Sequence, residues 1–251
     1  MGTGLSRRRV LVTGAGRGAG VALARALGRE GAAVALACRS SRTAADAVAE
    51  SIRGAGGVAA VVVGDLCVPA DAERIVAESA AALGGIDIVV ANASGYGPVG
   101  PLAGARWDAI DAEFQRVVRP VVLPVHAALP WLRRGVDPAV VVVAATSPTR
   151  PARGEGVHAM AKGAVLAWAR SMAHELGPEG IRVNAVSPGM MATEATLALP
   201  PEVRALVAER TPLRRIAEAE DLADVVVLMA SPLGRFLTGL DIPVDGGRAA
   251  T

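Results

Sequence analysis

Residues 10–13, Val10-Leu11-Val12-Thr13, run directly into Gly14-Ala15-Gly16-Arg17-Gly18-Ala19-Gly20, and an Ala/Leu-rich stretch follows over 21–29. That order reads as strand, tight turn, helix. Glycine serves such a turn because the backbone must take conformations closed to other residues. A side chain there would also hold a diphosphate away from the helix amides. The free N–H groups and positive dipole end of the helix suit phosphate. Gly-rich turns are common, so the reading as a dinucleotide site rests on the placement of this one near the N-terminus, between a strand and a helix.

Three further positions bear on which dinucleotide. A second strand, 32–38, ends at Arg39-Ser40-Ser41-Arg42, where an acidic residue would bind the ribose 2′-hydroxyl of NAD. No acid stands there. Arg39 does, and Arg17 protrudes from the glycine turn, so two guanidinium forks suit a 2′-phosphate and NADP is the expected cofactor. The competing reading makes Arg39 and Arg42 solvated loop charges. At the end of a third strand, 58–63, Asp65 can accept from an adenine amino group while Leu66 packs on the ring. A fourth strand, 86–91, ends in small residues around Asn92, as the ligand crevice of such sheets requires.

The elements that must position these residues alternate regularly. Nearly unbroken apolar strands are separated by helical stretches at 43–53, with Thr43 as cap, and at 71–83; later come a strand over 139–145 and a helix over 218–229. Strands without polar positions are buried on both faces. The expectation is a doubly wound parallel sheet, a Rossmann-type three-layer α/β/α fold. With 251 residues, 52% of them hydrophobic, the chain can bury one large core, so 1–251 is expected to be one domain. The net charge of +2 comes from scattered Arg and only 2% of residues are aromatic, which argues against nucleic acid as a partner. Cys38 and Cys67 form no disulfide framework and suit small buried roles in a reducing, cytoplasmic setting. No apolar run reaches the ~18 residues of a membrane span, so no membrane partner is expected.

Four ordered segments resemble the short-chain dehydrogenase/reductase family over nearly the whole chain. They are the TGxxxGxG of Thr13, Gly14, Gly18 and Gly20; Ala91-Asn92-Ala93-Ser94, a degraded NNAG; residues 180–189, GIRVNAVSPG; and residues 236–247, FLTGLDIPVDGG. The resemblance implies hydride transfer between a nicotinamide and a carbonyl or alcohol carbon. It implies a serine that orients the substrate oxygen, filled by Ser147 or Thr146, and a lysine that holds the ribose, Lys162, expected to open a helix. Pro188 and Gly189 match the segment leading to a threonine on the nicotinamide amide, here Thr193. A substrate lid is expected around 189–212, and its Met190, Met191, Ala195, Leu197 and Leu199 favour an apolar small-molecule substrate. The family's habit of assembling implies a homo-oligomer, a tetramer or dimer, with the apolar segments 127–132 and 165–176 suited to packing.

The departure is at the acid. Four residues before Lys162 stands His158 where the family has tyrosine, and Val117 takes the place of its relay asparagine. The spacing in His158-Ala159-Met160-Ala161-Lys162 puts both side chains on one helical face. An imidazole titrates near neutral pH unaided and can protonate a developing alkoxide, though a neighbouring ammonium disfavours its charged form. Three roles stay open for His158: a substitute acid/base in carbonyl reduction, a part of changed non-redox chemistry, or a filler in an inactive binding subunit. Tyr96, the single tyrosine, can supply a phenol from the loop after the fourth strand or serve as a pocket wall. Glu155 can acidify or orient His158, or share with Arg150 and Arg153 the role of solvated rim charge. His126 and His174 lack metal-ligand spacing and read as structural.

Overall fold

The computed structural model of the protein describes residues 2–250. The chain runs β1 (Arg9–Thr13), α1 (Ala19–Arg29), β2 (Ala33–Cys38), α2 (Arg42–Gly54), β3 (Ala59–Val63), α3 (Pro69–Leu83), β4 (Ile88–Ala91), α4 (Trp107–Val117) and α5 (Arg119–Leu132). It continues through β5 (Ala139–Val143), α6 (Gly156–Leu176), β6 (Arg182–Pro188), α7 (Glu194–Leu197), α8 (Pro201–Glu209), α9 (Ala219–Ala230) and β7 (Asp241–Val244). The strands form one seven-stranded sheet in the order β3-β2-β1-β4-β5-β6-β7. Every pairing is parallel, with Val10 opposite both Val34 and Ile88.

Strand periodicity divides the apolar residues between two cores. Val10, Val12, Val141 and Val143 face α1, α2 and α9, whereas Leu11, Val140 and Val142 face α3, α5 and α6. Because both faces are covered, the apolar strands carry no solvated side, and the doubly wound single-domain arrangement follows. Chain order reverses between β1 and β4, and the crevice for a ligand lies beyond the carboxyl ends of those strands.

Some boundaries differ from the sequence reading. Helix α2 begins at Arg42 after Ser41, so Thr43 lies inside the first turn and caps nothing. Helix α6 begins at Gly156, which places His158 in its first turn and Lys162 in its second rather than at its start. Cys38 is buried as expected, but Cys67 is only half-buried. Burial pushes the Cys67 thiol up to about 11, with Asp65 adding to the effect, so it carries little thiolate.

Candidate active site

The glycine turn joins β1 to α1 at the point of strand reversal. Gly14 has φ +67°, and an added Cβ would lie 2.9 Å from Ala93 Cα. At Gly20 a Cβ would lie 2.1 Å from the Gly14 carbonyl oxygen, so the turn closes onto its own helix only with hydrogen there. No side chain caps α1 at Gly18, and its first turn carries no acid. The positive end of that helix is therefore open to an anion, as a diphosphate needs. Thr13 and Asn92 tie this turn to the end of β4. Thr13 Oγ1 accepts from the Asn92 and Ala93 amides at 3.0 and 2.9 Å, and Asn92 Nδ2 donates to the Thr13 and Gly14 carbonyls at 2.9 and 3.3 Å. The Asn92 amide nitrogen is thus spent on shaping the turn.

At the far end of the crevice Arg39 Nη1 lies 3.7 Å from Asp65 Oδ2, both side chains exposed. The two residues expected to meet a 2′-phosphate and an adenine face each other. Arg17 is exposed on the glycine turn, and Leu66, next to Asp65, is buried. On the other side Pro188 ends β6, and Gly189 donates its N–H to Val244 at 3.1 Å. Thr193 caps α7 and shares its hydroxyl with Thr196 at 3.3 Å. Its methyl group would lie 3.9 Å from a Cβ on Gly18, so Thr193 stands over the glycine turn.

The two candidate hydroxyls and Lys162 lie at the end of β5. Thr146 donates its N–H and, at 3.4 Å, its hydroxyl to the Pro188 carbonyl, whereas the buried Ser147 Oγ has no protein partner. Lys162 is 4% exposed and donates to the Val143 carbonyl at 3.1 Å. Burial drives its ammonium down to about 8, and Glu113 opposes this in part. His158 Nδ1 lies 2.7 Å from Glu113 Oε1, and the rings of Tyr96 and His158 are 4.6 Å apart. A recess of about 60 Å³ between Tyr96, Val99, Glu113, Glu155, Val157 and His158 opens beside these groups.

Glu113 is the residue the sequence did not reveal. It sits on α4 one turn before Val117, which is itself fully buried, and the helix carries this carboxylate on its inward face. Glu155, the residue expected to act on His158, instead accepts from Tyr96 Oη at 2.9 Å and is half-buried, so it is no freely solvated rim charge. Arg150 is also half-buried and engaged, while Arg153 is exposed. The Tyr96 phenol donates to Glu155 and is pushed up to about 12 by desolvation and by Glu155. His126 and His174 lie exposed on helices, with His126 against Trp168 at 6.0 Å between ring centres.

A doubly wound sheet with an uncapped glycine turn at its switch point and buried polar groups beside it defines a nucleotide-binding α/β enzyme. Residues 14–249 match the family model described as enoyl-(acyl carrier protein) reductase. Meso-2,3-butanediol dehydrogenase of Serratia marcescens is 35% identical over 246 residues, 96% of this chain and 94% of that protein. The crystal structure of a short-chain dehydrogenase from Burkholderia cenocepacia in complex with NADP superposes with a TM-score of 0.91 at 33% identity, covering 98% of this chain and 99% of that one. A 3-ketoacyl-(acyl-carrier-protein) reductase from Brucella melitensis, complexed with NADH, gives 0.89 at 28% identity over 98% and 99% of the two chains. The chain belongs to the short-chain dehydrogenase/reductase family of oxidoreductases.

Proposed function

We propose that the protein is an NADP-dependent oxidoreductase that interconverts the carbonyl and alcohol forms of a small to medium, largely apolar compound, with His158 handling the proton. The observation that supports this reading is a glycine turn at the strand reversal that a Cβ would block, together with a helix α6 that carries His158 and, one turn on, the buried Lys162. In this reading Gly14, Gly18, Ala19 and Gly20 hold the diphosphate, with Asn92 keeping the turn in shape. Arg17 and Arg39 take the 2′-phosphate, the latter by leaving Asp65, and Asp65 and Leu66 border the adenine. Pro188, Gly189 and Thr193 hold the nicotinamide end, and Lys162 the ribose. The coenzyme, when bound, supplies or takes the hydride.

Ser147 is the better candidate than Thr146 for orienting the substrate oxygen, because its hydroxyl is unspent while that of Thr146 is given to Pro188. His158 then protonates the alkoxide oxygen in reduction and takes that proton back in oxidation. Exposed Leu197, Leu199, Val203 and Leu206 on and around α7 and α8 support a lid over 189–212 that covers an apolar substrate body. The wholly exposed Phe236 supports assembly with further copies of the chain. The test is oxidation of NADPH and NADH with a panel of apolar ketones, comparing wild type with His158→Phe. The reading expects NADPH to be preferred and turnover to fall by roughly 10²–10⁴-fold in the variant, the contribution of a general acid. Equal rates in the two proteins would remove His158 from the mechanism.

A further inference from the structure

We infer that Glu113 is the positioning residue for the proton-handling imidazole, forming a carboxylate–histidine dyad that stands in for a phenol. The inference rests on the reading of His158 given above and adds a second residue to it. Three observations carry it. Glu113 is 3% exposed, an unusual location for a carboxylate, and its Oε1 meets His158 Nδ1 at 2.7 Å. Its other oxygen, Oε2, lies 3.5 Å from Arg116 Nη1, so the carboxylate is held from two sides. The loop after β4 passes so closely over it that a Cβ on Gly97 would fall 2.2 Å from Oε2. A buried carboxylate fixed in this way sets both the ring orientation and the tautomer of its histidine partner.

The consequence is chemical. With Nδ1 committed to Glu113, Nε2 is the nitrogen left to face a substrate oxygen. In reduction the carbonyl carbon gains a hydride from the reduced nicotinamide, and the C=O π bond breaks onto oxygen. The oxygen takes the proton from Nε2–H, leaving a neutral imidazole that keeps its Nδ1–H on Glu113. Oxidation runs the same steps backwards. The charged groups facing the dyad are Arg116 from α4, Lys162 from α6 and Glu155 at the α6 N-terminus, with the neutral Tyr96 ring on its open side. Glu113 is the one in hydrogen-bond contact with the ring. The Glu113 carboxylate supplies the opposite charge that pairs with the ring in its protonated form.

The test uses Glu113→Gln and Glu113→Asp in the full chain, with His158→Phe as control. Glu113→Gln keeps the shape and a hydrogen bond but removes the charge. It is expected to bind NADPH as wild type does, to lose roughly 10- to 100-fold in kcat/KM for ketone reduction, and to move the alkaline fall-off of reduction to lower pH. Glu113→Asp is expected to recover part of both. A merely structural residue would lower the rate without moving the pH midpoint. Nitrogen-15 NMR of the wild type gives a readout independent of turnover and of the variants' folding. The chain has only three histidines, and the resonance lost in His158→Phe identifies the ring. The neutral ring is expected to carry its proton on Nδ1 with Nε2 bare. A neutral ring protonated on Nε2, or an unmoved pH profile in Glu113→Gln, overturns the inference. A wild-type rate in His158→Phe would instead overturn the reading of His158 itself, so the two failures are distinguishable.

Discussion

Lys162 yields the most quantitative prediction. Its ammonium is buried and has one protein acceptor, the Val143 carbonyl, and burial lowers its pKa from 10.5 to about 8. A gap of about two to three units in pKa, at about 1.4 kcal/mol for each, amounts to about 3 kcal/mol working against the fold wherever the native lysine is charged. The unfolded chain keeps this proton up to about pH 10.5, whereas the folded chain releases it near pH 8. In between, the unfolded state binds more protons, so stability rises with pH. Between about pH 7 and about pH 10 the wild type should gain about 2–3 kcal/mol relative to Lys162→Met. Methionine forfeits the bond to Val143, which offsets about 1 kcal/mol, so at about pH 7 the coenzyme-free variant should be the more stable by about 2 kcal/mol. Urea denaturation of both proteins at the two pH values measures these differences. Wild-type and variant stabilities that run parallel across this range, or a variant less stable at neutral pH, would refute the assignment of a strained, desolvated lysine. The strain would be kept because a low-lying ammonium beside His158 is useful for proton transfer.

Three further outcomes follow from the same geometry. Gly20→Ala places a Cβ 2.1 Å from the Gly14 carbonyl oxygen and should destabilise the fold by about 1–3 kcal/mol. Calorimetry should also find that NADPH no longer raises its melting temperature, and a variant stabilised by NADPH as wild type is would contradict the turn assignment. Arg39→Ala should weaken NADPH by about 10- to 100-fold, the loss of a charge-assisted contact worth about 1.5–3 kcal/mol, while changing NADH by less than about twofold. Isothermal titration with both coenzymes decides it, and equal losses would show that Arg39 does not read the 2′-phosphate. Tyr96→Phe removes the bond to Glu155 but no acid, since that phenol sits up at about 12. Its kcat should stay within about threefold of wild type, and a collapse in kcat would return the phenol to the mechanism.

The fold was legible because the central strands, such as β2, β4 and β5, are apolar on both faces and the breaks between strands carry their own punctuation, most clearly at Gly14 to Gly20. Boundaries slipped where a helix starts without a side-chain cap, as at α2 and α6, because nothing in the sequence marks the first turn there. Arg39 and Asp65 were both singled out, but their mutual pairing joins the ends of two adjacent strands and depends on the sheet register. The dyad was half legible. His158 announced itself by its spacing from Lys162, but its partner did not, because Glu113 lies 45 residues away on another helix. The available signal was a charged residue one turn before Val117 on a face that has to be buried, and it pointed to Glu113 in place of the nearer Glu155.

The central claim is a nucleotide crevice that sets a reduced coenzyme beside the His158 imidazole. A crystal structure of the protein grown with NADPH tests it most directly. The account predicts the diphosphate on the amides of the Gly14 to Gly20 turn, Arg39 turned from Asp65 to the 2′-phosphate, and the nicotinamide on the side of His158 and Lys162. A crevice closed by its own side chains, or a coenzyme seated with its nicotinamide away from His158, would contradict it.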